Sequence, residues 1–316
     1  MMRNLLVAAL LAAFAAGVGA QGQKSTYKVP RTPDGQPDFQ GYWTNLTYTP
    51  YERPKELANK PFYTEKEAIE AFNKAVAGSE NQVVHYVNTD FGATPVQTGA
   101  KPNLRTSLVI DPADGRIPPM TAEAQKREAA RAAAQRAAGP LARTWRDDRG
   151  TVWCVFHERA VPAVTAPYGS NYQIVQSKNY IVMIYEWNSE RRVISLDQPH
   201  GSVPLYAGDS RGHWEGDTLV VDSTNFTHKT HFQGSSEALR VVERFTRIDA
   251  DTIQYRFTVE DPTSWTRPWT AEIPMWKAGG KLYEYACHEG NHDLMNILEI
   301  ARNVEAQKAA KKPSSR

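Results

Sequence analysis

From about residue 150 onward the apolar positions fall into a period of two. "YQIVQS" (172–177), "YIVMIYE" (180–186), "RRVISL" (191–196), "TLVVDST" (218–224), "LRVVERFTRI" (239–248), "TIQYRFTVE" (252–260) and "TAEIPMW" (270–276) are β-branched or aromatic runs of strand length. Turn-forming residues separate them; Glu215-Gly216-Asp217 and Asp249-Ala250-Asp251 read as hairpin turns, which gives their carboxylates a structural role. Consecutive strands with short links imply a mainly β fold. The expectation is an antiparallel meander closing into a lipocalin-like barrel or a sandwich, with peripheral helices.

The helical signals lie around this body. Thr64-Glu65-Lys66-Glu67 is a capping box that opens a helix to about Ala77. "TAEAQKREAARAAAQRAA" (121–138) is a helix stopped by Gly139-Pro140, its basic side chains reading as a solvated surface. A third helix is apolar at Leu294, Ile297, Leu298 and Ala301 and frays into a basic tail. "TSLVIDPADGRIPP" (106–119) adds a short strand, and residues 21–62 read as irregular chain lying over the body. The expected organisation is a signal peptide at 1–20, a wrapping segment with one helix at 21–105, a β-rich domain at 106–301 and a tail at 302–316.

The first twenty residues carry Arg3, the apolar run "LLVAALLAAFAAGV" and small residues at Val18-Gly19-Ala20, as a secretory signal requires. The run is short for a membrane span. The mature chain is therefore expected in the periplasm or outside the cell, with no membrane association after cleavage. A formal charge of +2, from 37 basic and 35 acidic side chains, lacks the basic excess of a nucleic-acid binder. Export favours pairing of the two cysteines, Cys154 and Cys287, which would hold Cys287 beside "TVWCVFHER". Nothing in the sequence sets the oligomeric state.

His288-Glu289-Gly290-Asn291-His292 matches the H-E-x-x-H spacing of zinc proteases. That chemistry needs both imidazoles on one helical face. Gly290 and Asn291 are poor helix-interior residues, and Asn291 or Asp293 is a better start for the helix that follows. The motif is therefore not read as a metal site. His228 and His231 in "THKTHF" have an i, i+3 spacing but read as a surface loop. No P-loop, dinucleotide fingerprint or Gly-x-Ser-x-Gly elbow is present, and no cofactor is expected.

Four blocks, "GDSRGHWEGDTLVVDSTNF" (208–226), "SSEALRVVERFTRIDADTIQYRFTVEDP" (235–262), "RPWTAEIPM" (267–275) and "YEYACHEGN" (283–291), resemble in order the signature blocks of a large family of exported bacterial proteins. The resemblance runs from about Leu104 to Ala301 and takes in Cys287, His288, Glu289 and Asn291, but not His292. It implies export and membership, and brings no activity with it.

Polar residues in unexpected places supply the candidate chemistry. His200 follows a strand, Asp209, Arg211 and His213 lie in the Gly-flanked "GDSRGHW", Glu243 interrupts "LRVVERF", and Glu186 closes "YIVMIYE". A histidine–carboxylate pair in a partly buried cleft can exchange protons near neutral pH. His200, His213, Glu243, His288 and Glu289 are the candidate catalytic groups, with Asp209, Arg211 and Asn291 as substrate-binding groups. His213, Arg211, His288 and Glu289 are expected to meet at one cavity. The function expected is that of an exported lyase, isomerase or hydrolase acting on a small aromatic or sugar derivative. The alternatives are a periplasmic small-molecule binding protein and a metal-dependent hydrolase.

Overall fold

The computed structural model describes residues 27–80, 99–138, 144, 154, 161–165, 170–230 and 232–310. The expected signal peptide, most of "TVWCVFHER", His231 and the end of the basic tail lie outside them. The strands are β1 (Gly41–Thr44), β2 (Val109–Asp111), β3 (Asn171–Gln176), β4 (Tyr180–Tyr185) and β5 (Arg191–Ser195). β6 (Asp209–Glu215), β7 (Thr218–Thr224), β8 (Arg240–Arg247), β9 (Thr252–Glu260) and β10 (Trp269–Lys277) follow. The helices are α1 (Glu65–Glu80), α2 (Ala122–Ala138) and α3 (Asp293–Ala310).

The sheet order is β1-β3-β4-β5-β6-β7-β8-β9-β10, and β1 pairs back onto β10, so nine strands close into a barrel rather than a sandwich. β2 is an outer strand sharing the edge of β10. Going round a closed ring, strand direction must return to itself, and an odd number of strands cannot do this with antiparallel pairs alone. One parallel pair is required, and it is β5–β6, with Ser195 opposite Arg211. Parallel neighbours need a crossover of a dozen residues or so. The 196–208 connection is that crossover, and it runs outside the barrel wall.

Side chains fill the barrel. Trp43, Tyr172, Phe245, Tyr255, Phe257 and Trp269 are fully buried, with Phe245 and Tyr255 stacked at 4.6 Å. Each such ring contributes roughly 1.5–3 kcal/mol on burial. Among the described residues these rings form a packed core inside the barrel.

The sequence reading misses two strands. β6 places Ser210, Gly212 and Trp214 inward, and Asp209, Arg211, His213 and Glu215 outward, so it shows no apolar alternation. Gly212 is needed there because a Cβ would come within 2.9 Å of Ile194 and Leu196. β1 arises inside the segment read as irregular, because Trp43 sinks into the core between β3 and β10. The two-residue hairpin at Gly216-Asp217 forms where expected, with Gly216 at φ +60°.

Candidate functional site

The crossover brings His200 against the outer wall. Its Nδ1 lies 3.2 Å from Asp209 Oδ2, and its Nε2 lies 3.8 Å from Asp222 Oδ2. Asp209 is mostly buried and also accepts the Gly201 amide and the Arg211 guanidinium. Arg211 donates from Nε to the Pro199 carbonyl, and Arg240 holds Asp222 through two hydrogen bonds. His200, Asp209 and Arg211 therefore do form one cluster. Its bonds also tie the crossover to β6 and β7.

Glu243 is elsewhere. Alternation along β8 turns it into the barrel, where it is fully buried. Arg192 grips both of its oxygens, and Tyr255 donates its hydroxyl to Oε1 at 2.7 Å. The remaining Arg192 donors reach Ser210 and Ser223 at 2.9 Å. Burial by itself would lower the Arg192 pKa; the Glu243 carboxylate outweighs it and holds the pKa above its ordinary value. Burial, reinforced by Glu243, pushes the Tyr255 phenol well up, so it stays a donor. Every charge in this interior group has a partner.

His213 stands on the outer face of β6 and is well exposed, 3.3 Å from Glu215, which Arg244 also binds. Hydrogen bonds from Arg244 and then His213 lower the Glu215 pKa. The 283–291 segment lies at the opposite end of the barrel. Tyr285 stacks on Trp187 at 5.9 Å, in the β4–β5 turn. From Arg191 to the level of His213 is about six residue steps of ~3.3 Å, roughly 20 Å along the strands. His213 and the 283–291 segment are thus not brought to one cavity.

Cys154 and Cys287 form a disulfide, and Asn291 donates to Cys154 Sγ at 3.0 Å. Asn291 is therefore a clasp beside the disulfide. His288 and Glu289 are exposed in the turn that follows. Gly290 sits at φ +67° and α3 starts only at Asp293, whose amide is accepted by the Asn291 side chain. His288 and His292 are consequently not one turn apart on a helix. His228 is an exposed turn residue.

A site that the sequence reading did not single out lies between α1 and the 48–50 and 101–105 segments. The capping box forms as expected, with the Thr64 amide 2.9 Å from Glu67 and the Glu67 amide 3.4 Å from the Thr64 hydroxyl. α1 turns Ala68, Ala71 and Ala75 toward the 48–50 and 101–105 segments, and these small side chains line a cleft of about 320 Å³. Phe72 packs edge-on against Tyr48 at 5.6 Å to form one wall, and Tyr63 closes part of the margin. Burial, with Glu56 and Glu67 nearby, raises the Tyr63 pKa and keeps its hydroxyl protonated. Lys74, Lys101, Asn103 and Arg105 line the rest. Arg105 bonds Glu272 at 2.5 Å and lies over the Phe62 ring, while Arg256 takes the other Glu272 oxygen.

Among the described residues the cleft is lined by rings, alanines and cations, with no carboxylate and no imidazole. A space of this size can hold a small molecule. The signal that could have found it is the Ala68, Ala71, Ala75 spacing beside Phe72, a helical face too small to fill its own contact. No family model matches the chain, and no curated protein matches it.

Proposed function

We propose that the protein is an exported small-molecule binding protein whose ligand lies in the cleft beside α1. The observation that carries this reading is the cleft's volume of about 320 Å³, lined by Tyr48, Tyr63 and Phe72 and open to solvent beside Lys74 and Lys101. Pockets that bind small organic molecules combine such apolar walls with a few placed polar groups. Export is supported by the signal-like N-terminus and by the Cys154–Cys287 disulfide. Among the described residues, no helix is long and apolar enough to cross a membrane. Membership of the exported family with the four sequence blocks belongs to the same proposal.

Thermal-shift screening of small aromatic acids, alcohols and sugar acids tests it, run in parallel on the protein and on Ala71→Trp, which fills the cleft. The expected result is one or more compounds that raise the melting temperature of the protein and not of the variant. Hits that stabilise both equally would place the ligand elsewhere.

A second reading, an acid–base enzyme, is favoured by one observation: His200 pairs with an Asp209 that Arg211 and the Gly201 amide also bond. Turnover of a hit compound that disappears in His200→Gln, with folding intact, would move the assignment to this wall.

A further inference from the structure

Resting on the binding reading above, we propose that the ligand class is an aryl carboxylate: one aromatic ring joined to a carboxylate by a short chain. The charge around the cleft is unbalanced in one direction. Arg105 and Arg256 share the single carboxylate of Glu272. Lys74 and Lys101 are exposed, and neither has an ion pair among the described residues. Two acids of α1 are paired with other lysines, Glu67 with Lys60 and Glu70 with Lys66. A ligand that enters meets uncompensated positive charge and a phenol donor from Tyr63.

The other half of the recognition is aromatic. Phe72 and Tyr48 meet edge to face and both line the cleft, so a ligand ring that enters packs against an aromatic wall. The volume fixes the size. A dry cavity of about 150 Å³ accommodates one benzene ring, and the cleft has about twice that, 320 Å³. A ring with a chain of a few atoms fits, whereas a lone benzoate leaves the far end unfilled. A sugar acid satisfies the cations but offers the Tyr48–Phe72 wall no flat apolar face.

Calorimetric titration with 3-phenylpropionate, its neutral counterpart 3-phenylpropanol, and glucuronate tests the class. The expected order places 3-phenylpropionate at least about tenfold tighter than either, as one charge-assisted contact supplies. Lys74→Gln combined with Lys101→Gln should abolish most of that margin, as should salt at about 0.5 M, while leaving 3-phenylpropanol unchanged. Both lysines are exposed, so the variant is expected to fold. If 3-phenylpropanol binds as tightly as the acid and loses binding in Ala71→Trp, the class is wrong and the cleft reading stands. Tightest binding by glucuronate, lost in Ala71→Trp, would likewise overturn the aryl assignment alone. If all binding survives Ala71→Trp, the cleft reading itself fails.

Discussion

The barrel interior and the cleft beside α1 use the same kinds of side chain. Each has aromatic walls, and each has an arginine bonded to a glutamate. Inside the barrel one Arg192 meets one Glu243, and Ser210, Ser223 and Tyr255 take up further hydrogen bonds. Beside α1 two arginines converge on one Glu272, and Lys74 and Lys101 add charge that no acid among the cleft's described residues offsets. Buried rings pack the interior; small alanines line the cleft. Residue type is common to both places. Charge balance and free volume separate the structural cluster from the proposed binding site.

The sharpest way to break this comparison is to unbalance the interior. Glu243→Gln would leave the Arg192 charge buried without a counter-ion, at a cost of about 3–5 kcal/mol. Replacing both partners, Arg192→Met with Glu243→Leu, should recover most of that loss. Urea denaturation measures both variants. A change under ~1 kcal/mol for Glu243→Gln would mean that the pair is not closed to water as the fold implies.

The disulfide comes next. Cys154→Ser with Cys287→Ser removes a link across a separation of 133 residues and should lower stability by about 2–4 kcal/mol. Because Tyr285 stacks on Trp187, native hydrogen exchange should rise around 283–291 while the barrel strands stay protected. Uniform exchange over the strands would show that the link supports the barrel itself.

On the cleft side the effect on stability is small and the effect on ligand is large. Lys74→Gln with Lys101→Gln should change folding free energy by less than ~0.5 kcal/mol, since both are exposed. A loss much above that would give these lysines a structural role and weaken the contrast with Arg192.

The subtlest test is acid stability. The hydrogen bond from Lys60, followed by those from the Thr64 amide and hydroxyl, holds the Glu67 pKa down at about 2. A depressed carboxylate adds stability above its unfolded pKa of about 4.3 and loses it as pH falls to the folded value. The stability difference between the protein and Glu67→Gln should therefore be constant above pH ~4.3 and vanish near pH 2. A difference that persists below that value would assign the effect to the helix cap rather than to charge.

The strands with β-branched alternation and the helices with caps were legible from sequence, because each carries its own period or terminus. β6 was not. Its outward positions are charged or polar and two of its inward ones are Ser210 and Gly212, chosen by Arg192, Ile194 and Leu196 of the neighbouring β5 and the residue after it. His200, Asp209 and Arg211 were legible singly, as polar residues beside strands, but not as a group, because the crossover that brings His200 onto Asp209 has no period of its own. Glu243 was visible as an interruption of an apolar run, but whether it faces in or out depends on register, which only the closed barrel sets. The cleft was hidden because its lining comes from 48–50, 63–75 and 101–105, which no single period links.

The most direct test of the contrast is a crystal structure of the protein with 3-phenylpropionate. The expected result is the ring packed against Tyr48 and Phe72, with the carboxylate in hydrogen-bond reach of Lys74, Lys101 or the Tyr63 hydroxyl. The ligand seated instead against His200 and Asp222 on the outer wall, with the cleft beside α1 holding only solvent, would contradict it.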